Sequence, residues 1–482
     1  MKILSIFILL IFLPMASSTT IYSINLKDQK IFVNVTFNLS SEQKYDVWRI
    51  TWEIPQQYEI VSIKDEIGDI SFTKYPTYIY FETNRLYSNK RVINIQYFLT
   101  DAISNEYDPL KKVQLYLSGF ENDDTIINIY LPGLISGDAS YGFTEYFTND
   151  FAQFVGNGAA DIVLFYSFSG REYENYLLFG PADIKVADSL FSLVTNITGI
   201  DKPYERFPVM ILKDQVFEQK VQPWGTASHT RGGLILMKES IANSPYNAST
   251  LLHETTHGIN SKILKWNQVN ATWFEEGIAS FIEFLANQHL SLEQPELFGQ
   301  PKIIKQGNEK IIIKSKGNRD DLWTYYKEGK DFMYYWNPSD NKNRDFGYAF
   351  SELVIRYSVE KNGIDKIKDT YKKLSKIEKQ IKNPIESTNI ILSALDTNFM
   401  PCYSVDRNIF DECLNNINQQ RLLVPKTNNI ERINTKIVNE TIDIEQQNII
   451  DEKREKQNFI FEIIQKIKSF LEKFKPFNQF FF

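Results

Sequence analysis

The chain has only a small excess of negative charge, and it has very few cysteines. Its net charge is −7 over 482 residues, and acidic and basic residues are intermixed. A nucleic-acid surface needs a strongly basic patch, so this class of partner is excluded. The two cysteines, Cys402 and Cys413, lie in one late segment. In an exported protein they predict one local disulfide with a structural role.

The chain also lacks an apolar run of the roughly 20 residues that a membrane-spanning helix needs. Residues 1–18 begin with Lys2, continue with a short apolar stretch and end in small side chains. This pattern predicts a secretory signal peptide and a secreted or cell-surface protein, with an uncleaved anchor as the alternative. Six Asn-x-Ser/Thr triplets support export, although such triplets also arise by chance: Asn34, Asn38, Asn196, Asn247, Asn270 and Asn439.

Two of the four histidines stand four positions apart around a glutamate, in His253-Glu254-Thr255-Thr256-His257. On a helix, residues i and i+4 share a face, so His253 and His257 can bind one zinc ion. Glu254 can accept a proton from a water molecule whose pKa zinc lowers to about 7, which predicts a general base. A structural zinc site usually has four protein ligands and favours cysteine, and no cysteine lies nearby. A catalytic site is therefore favoured.

A catalytic zinc site needs a third protein ligand and an open fourth position. Eighteen residues separate His257 from Glu276, which lies within Trp273-Phe274-Glu275-Glu276-Gly277. A second helix could bring this carboxylate to the histidine pair. We therefore predict that His253, His257 and Glu276 bind one zinc ion.

The stretch from Leu252 to Leu285 resembles the core of the gluzincin zinc metallopeptidases, above all the alanyl and leukotriene-hydrolase type aminopeptidases and the glycyl aminopeptidases. The resemblance implies the same three ligands and the same base. It also implies that Tyr348 hydrogen-bonds the tetrahedral oxyanion. The family's Lys-Gly after that tyrosine is replaced here by Phe350-Ser351, and an ordinary packed tyrosine is the alternative.

The amine-anchoring Gly-x-Met-Glu-Asn segment of the true aminopeptidases has no counterpart in this chain. The corresponding place, residues 230–237, predicts an edge strand on which an extended substrate could pair near Gly232 and Gly233. Arg231 could hold a substrate carboxylate or carbonyl, or it could be a solvated turn residue. Glu275 could anchor the amine, although an exposed charge in the first turn of a helix is the favoured interpretation.

The length of the chain exceeds that of one compact core and predicts an α+β multidomain protein. β-Branched and aromatic stretches predict an N-terminal β-sandwich over residues 19–135, which the resemblance also implies. Residues 136–425 are predicted to form a thermolysin-like (zincin) mixed α/β catalytic domain with a helical C-terminal part.

Within the catalytic domain, the pattern predicts a helix over residues 182–197 and a strand over 207–212. A zinc helix is expected to begin near Leu251, and Gly258 is expected to end or bend it unless packing holds it. The second ligand helix is predicted over residues 273–287. Aromatic residues between 323 and 336 suggest a cleft wall or lid, with ordinary packing as the alternative.

Residues 426–482 combine a charged linker with an amphipathic helix that carries lysines among its apolar residues. Such a helix could make peripheral contact with a membrane surface, and the alternative is that it docks on the protein's own core.

These features predict an exported zinc-dependent metallopeptidase, aminopeptidase-like, that acts on peptide or protein substrates. Three alternatives stay open. The first is an endopeptidase of the same fold, and the second is a mucin-directed gluzincin. The third is a cell-surface binding protein in which the β-domain is the working part and the zinc site is idle.

Overall fold

The computed structural model describes residues 19–120, 123–140, 142–263, 268–290, 302–306, 309–313, 332–339, 344–377 and 381–397. The chain divides into two compact units, Met1–Arg407 and Asn408–Phe482, and every described residue belongs to the first. The predicted signal peptide, Cys402, Cys413 and the C-terminal segment 426–482 lie outside the described residues. So does the first part of the predicted aromatic cluster, residues 323–331.

Strands dominate the first part of the chain and form three sheets. The strands are β1 (Thr19–Lys27), β2 (Lys30–Tyr45), β3 (Arg49–Glu53), β4 (Tyr58–Lys64), β5 (Phe72–Lys74), β6 (Tyr78–Glu82), β7 (Ser88–Leu99), β8 (Ile103–Tyr107), β9 (Leu110–Leu117), β10 (Asp124–Tyr130), β11 (Leu134–Ala139), β12 (Thr144–Thr148), β13 (Phe151–Asn157) and β14 (Ala160–Tyr166). A seven-stranded sheet has the order β12-β13-β10-β1-β2-β7-β4, a four-stranded sheet β11-β14-β9-β8, and a three-stranded sheet β3-β6-β5.

Alternation along the strands gives these sheets their buried side. In β2, Ile31, Val33, Val35 and Phe37 are buried, whereas the residues between them are half-exposed. All three sheets contribute to one apolar core, for example through Val33, Trp52 and Leu115. Strands β11 to β14 belong to these sheets, so the β-region continues to Tyr166 and the predicted boundary at residue 135 is too early. That boundary failed because β13 and β14 pair with the earlier strands β10 and β9, and β12 and β11 are added to them.

A fourth sheet, with five strands, follows. Its strands are β15 (Arg171–Glu172), β16 (Tyr176–Phe179), β17 (Phe207–Leu212), β18 (Ala227–His229) and β19 (Ile235–Lys238), in the order β15-β16-β17-β19-β18. β16, β17 and β19 are parallel, and β18 runs antiparallel to β19. The strand predicted over residues 207–212 is confirmed. The predicted edge strand is wrong, because β19 lies inside the sheet and β18 forms its edge.

Helices lie between and after these strands. Their bounds are α1 (Lys185–Ser189), α2 (Phe191–Thr198), α3 (Asp214–Lys220), α4 (Glu239–Ala242), α5 (Asn247–Ile263), α6 (Gln268–His289), α7 (Phe332–Tyr335), α8 (Arg344–Asn362), α9 (Asp365–Leu374) and α10 (Pro384–Leu395). A hairpin of β20 (Lys302–Gln306) and β21 (Glu309–Ile313) lies between α6 and α7. The single helix predicted over 182–197 is two helices, α1 and α2. No helix among the described residues is long and apolar enough to cross a membrane.

Candidate metal centre

Helix α5 carries the histidine pair and continues past the glycine that was expected to weaken it. A Cβ atom on Gly258 would lie 2.5 Å from a ring carbon of Phe207, so the glycine lets the helix approach the sheet closely. The helix then runs on to Ile263. Tertiary packing therefore offsets the helix propensity that Gly258 lacks, which is about 1 kcal/mol.

Helix α6 carries Glu276 and packs against both α5 and α8. Its backbone departs from helical geometry at Ala271, where φ is −130°, so the regular helix begins just before Trp273. The Trp273 ring is buried, and its Nε1 donates to Thr388 Oγ1 at 3.1 Å. On the other side, a Cβ on Gly277 would lie 2.7 Å from the backbone oxygen of Ser351 in α8. These contacts fix the position of Glu276.

The side chains of His253, His257 and Glu276 converge on one point. The two histidine Nε2 atoms are 3.2 Å apart, and Glu276 Oε2 lies 3.3 Å from that of His253 and 3.2 Å from that of His257. Tetrahedral zinc with bonds of about 2.0–2.1 Å places its ligand atoms about 3.3 Å apart. Glu276 Oε2 is buried, and its contacts with the described residues do not have the angles of a hydrogen bond. Such an atom is suited to face a metal ion. The residues fit a zinc ion.

Charge around this point also favours a cation. Burial would lower the pKa of His253, but Glu276 and Glu283 raise it well above its usual value. Burial would raise the pKa of Glu276, but the charges of His257 and His253 lower it to about 2. The two imidazoles therefore keep the buried carboxylate of Glu276 in its charged form. A bound divalent cation would take the place of the protons on the two histidines.

Glu283 orients the first histidine, and the sequence analysis missed this residue. His253 Nδ1 lies 3.1 Å from Glu283 Oε2, so a proton on Nδ1 leaves Nε2 free to bind a metal. Glu283 stands seven positions after Glu276, which puts both carboxylates on one face of α6. This spacing could have predicted from the sequence that Glu283 lies near the histidine pair.

Glu254 lies beside the cluster of His253, His257 and Glu276, and it contacts the edge of the sheet. Its carboxylate is buried and accepts a hydrogen bond from the backbone N–H of His229, at the end of β18. Burial raises the pKa of Glu254, and the charges of His253 and His257 oppose this effect. The hydrogen bond fixes the carboxylate between the histidine pair and the edge strand.

Tyr348, in α8, lies next to the same cluster. Its ring centroid is 6.3 Å from that of His253 and 5.4 Å from that of Trp336, a buried member of the predicted aromatic cluster. Burial raises the pKa of the Tyr348 hydroxyl, and the carboxylates of Glu276 and Glu254 add to the shift. The hydroxyl is thus kept protonated, as a hydrogen-bond donor must be.

Glu275 does not have the exposed first-turn position that was favoured for it. It is 5% exposed, although it lies in the first helical turn after the kink at Ala271. Burial raises the pKa of its carboxyl to about 8, and the charge of His257 opposes this shift. Tyr371, which donates to buried Asn260, lies close enough for its pKa to be raised by Glu275. Glu275 therefore lies in the protein interior behind the metal ligands.

The remaining predicted substrate residues lie in the turn between β18 and β19. Gly232 and Gly233 have φ values of 89° and 91°, which only glycine adopts easily, and they shape this turn. Arg231 contacts the N-terminal sheets: its Nε donates to Asp138 at 3.0 Å and its Nη1 to Asp161 at 2.6 Å. The guanidinium is therefore bound within the fold, and the proposed substrate role of Arg231 is replaced by a structural one.

Comparison with known proteins gives a weak structural likeness only. No protein-family model matches the chain, and no curated protein matches it. It is similar to the M1 zinc metallopeptidase from Deinococcus radiodurans, with 11% identity, 78% of this chain and 90% of that chain covered, and a TM-score of 0.34. It is also similar to native leukotriene A4 hydrolase from Saccharomyces cerevisiae, with 12% identity, 82% and 66% coverage, and a TM-score of 0.34.

The first of these neighbours is a zinc enzyme by name. A TM-score below 0.5 carries no argument, so the case for a metal centre rests on the convergence of His253, His257 and Glu276. Among the described residues, these three are the group of histidine and acidic side chains placed to hold an ion.

Proposed function

We propose that this chain is an exported zinc-dependent metallopeptidase with an aminopeptidase-like site. The observation that carries the proposal is the triangle of His253, His257 and Glu276, with sides of 3.2–3.3 Å, beside the buried carboxylate of Glu254. Two imidazoles and one carboxylate are a typical catalytic zinc set that leaves a position open for water or substrate. The three side chains come from two helices that pack together, so the set does not depend on a mobile loop.

A zinc ion at this site would polarise the peptide carbonyl and lower the pKa of the attacking water. Glu254 takes the proton from that water and later delivers it to the leaving amine. The His229 N–H bond orients the Glu254 carboxylate for this transfer. Tyr348 donates a hydrogen bond to the oxygen that becomes negative as the carbonyl is attacked. Glu283 holds His253 in the tautomer that binds metal.

Strand β18 is the proposed binding edge for the substrate backbone. It is the outer strand of its sheet and lies against α5, and its last residue, His229, contacts the base. An extended peptide paired with this edge would pass beside the metal ligands. The strand carries Ala227, Ser228 and His229 and no carboxylate to anchor a free amine. This observation favours the second candidate, an endopeptidase that uses the same chemistry.

The proposed chemistry is tested by two substitutions and a chelator. Glu254→Gln should keep bound zinc and lose hydrolysis of a broad peptide library, because the amide cannot take the proton. His257→Ala should lose both zinc and hydrolysis. Zinc content by mass spectrometry and circular dichroism would show whether each variant binds metal and folds. Near wild-type turnover by Glu254→Gln would remove Glu254 from the mechanism.

The same library distinguishes the candidates for specificity. Cleavage that needs a free amino terminus indicates an aminopeptidase, whereas equal cleavage of blocked peptides indicates an endopeptidase. Cleavage only of glycan-bearing peptides would indicate a mucin-directed enzyme. If every peptide stays intact with stoichiometric zinc, the binding-protein alternative is favoured.

A further inference from the structure

The outward face of the seven-stranded sheet carries an unbroken row of uncharged polar side chains. The register connects one residue from every strand, and all are half-exposed or exposed: Tyr146, Gln153, Asn128, Ser23, Asn34, Gln96 and Ser62. Several of these side chains bond to one another. Gln153 Nε2 donates to Asn128 Oδ1 at 2.8 Å, and Ser62 Oγ donates to Gln96 Oε1 at 3.1 Å.

The two neighbouring rows are also uncharged until they reach the edge strand β4. One contains Thr148, Phe151, Tyr130, Asn25, Phe32 and Phe98, and the other Thr144, Val155, Ile126, Ile21, Thr36 and Asn94. Charged residues stand at the rim, with Glu59 and Lys64 on β4, Asp124 at the start of β10, and Lys27 and Lys30 where β1 turns into β2. The ammonium groups of Lys27 and Lys30 flank the aromatic rings, at 5.7 Å from the centroid of Phe32 and 6.0 Å from that of Phe98. Charged residues make up 23% of the chain. An ordinary solvated sheet face would carry several of them, so this face is suited to an uncharged cover.

Aromatic rings beside amides and hydroxyls suit a carbohydrate. The rings of Phe32 and Phe98 lie 5.2 Å apart and those of Tyr130 and Phe151 5.0 Å apart, and Tyr130 is 54% exposed. A sugar presents C–H faces that pack on aromatic rings and hydroxyls that bond to amide groups. A neutral sugar needs no charged partner, which matches the composition of the three rows.

An acceptor triplet for N-linked glycans stands at the centre of this face. Asn34-Val35-Thr36 lies within β2, so Phe32, Asn34 and Thr36 point outward together. Asn34 Oδ1 accepts from Asn94 Nδ2 at 2.8 Å, and the same nitrogen donates to Thr36 Oγ1 at 3.0 Å. The bond to Asn34 uses its carbonyl oxygen and not its Nδ2, the atom to which the sugar is joined.

Other triplets fit modification less well. Asn247 Nδ2 donates to the backbone oxygens of Asp183 at 3.1 Å and Ala242 at 3.0 Å, and Ser249 of that triplet is fully buried. In the triplet that begins at Asn196, Thr198 is fully buried. A glycan on Asn247 would break at least one of the two hydrogen bonds that its amide nitrogen donates, whereas one on Asn34 would break no such bond.

We propose that Asn34 carries an N-linked glycan whose first sugars lie on the uncharged sheet face, over Phe32 and Phe98. The inference rests on export of the chain but not on its peptidase activity. The sugar comes from a lipid-diphosphate-linked oligosaccharide of the export pathway. A bond forms between C1 of the sugar and Nδ2 of Asn34, and the bond from C1 to the lipid diphosphate breaks, so that the diphosphate leaves with the bonding electrons. Nδ2 gives up one proton, which passes to water.

The full chain, exported from cells that N-glycosylate, provides the test by glycopeptide mass spectrometry. Asn34 should be occupied and Asn247 should not. Thr36→Ala should abolish occupancy at Asn34 without changing the asparagine, whereas Thr36→Ser should retain it. Loss of the glycan should lower the Tm by about 2–4 °C and increase binding of an apolar dye, because the rings become exposed.

Two controls distinguish the effect of losing the glycan from the effect of changing a side chain. Thr36→Ala should change Tm and dye binding little when wild type and variant are both made with glycan synthesis inhibited. Asn38→Gln removes the neighbouring triplet on β2 and should leave Asn34 occupied.

Exported protein that lacks sugar on Asn34 would overturn the proposal, whether the face then proved open, bound free glycans or formed a dimer. Occupancy without any effect of its loss on Tm or dye binding would also overturn it, since the glycan would then project into solvent.

Discussion

At the scale of single residues, the side chains that form the candidate site could be predicted from the sequence. The groups that position them, Glu283 and the backbone of His229, were missed. His253, His257, Glu254 and Glu276 stood out because their spacing fixes them on helix faces. The exposed position favoured for Glu275 was wrong, because the packing of α9 and the direction of α6 bury this side chain. The local sequence shows neither of these features. The hydrogen bond from the His229 backbone to Glu254 could not be predicted, because nearly every residue type has such an N–H group.

Glu283 provides a prediction at this scale. Glu283→Gln keeps the size of the side chain but weakens its hydrogen bond to His253 Nδ1, so zinc affinity should fall about 10–100-fold. Titration of the metal-free protein against a chromophoric chelator would measure the affinity. Glu386→Gln, an exposed glutamate in the first turn of α10, is the matched control. Equal affinity of the Glu283 variant and wild type would contradict the positioning role.

At the scale of elements, periodicity placed the helices and strands near the site but not their order in the sheet. β17 was predicted from a short run of apolar residues, the first ligand helix from the spacing of its histidines, and the second from apolar residues at helical spacing. Apolar residues 234–237 suit an interior strand as well as an edge strand, and only pairing with β17 and β18 decides between them. The extension of α5 past Gly258 depends on Phe207, a contact between residues far apart in sequence.

The close packing of α6 on α8 gives a prediction at the element scale. Gly277→Ala would bring a methyl group within 2.7 Å of the Ser351 backbone oxygen. The helices must then separate, at a cost of about 1–3 kcal/mol of folding free energy. Chemical denaturation would measure the loss, and zinc affinity should fall with it because Glu276 precedes the glycine.

Ser280→Ala, one turn further along α6 at a half-buried position, is the control and should change both quantities little. If Gly277→Ala unfolds at the wild-type denaturant concentration, the packing argument fails.

At the scale of the whole molecule, the sequence indicated a β-rich region followed by a mixed α/β region, and the structure has both. It could not set the boundary, because β11 to β14 join sheets whose first strand, β1, begins at Thr19, far earlier in the sequence. It also could not show that Arg231, in the turn of one sheet, bonds to Asp138 and Asp161 in another. Such pairings depend on tertiary structure alone.

Arg231 therefore gives a prediction for the whole molecule. Arg231→Gln should lower the free energy of unfolding by about 1 kcal/mol, a modest figure because the guanidinium is partly solvated. Thermal or chemical denaturation would measure it. KM for peptides with free and amidated carboxyl termini should change equally. A selective rise in KM for free carboxylates would instead restore a role in substrate binding.

Lys64→Gln, which removes an exposed ion pair within the N-terminal region, is the control and should change stability less.

The ion pairs of Arg231 with Asp138 and Asp161 limit where the gene can be divided into fragments. A fragment that encodes only the metal-binding region would present Arg231 without either of its acceptors, and a fragment with only the sheets would leave Asp138 and Asp161 with no counter-charge. Chimaeras made between related chains should therefore exchange these three codons together, even though they span 94 positions of the open reading frame.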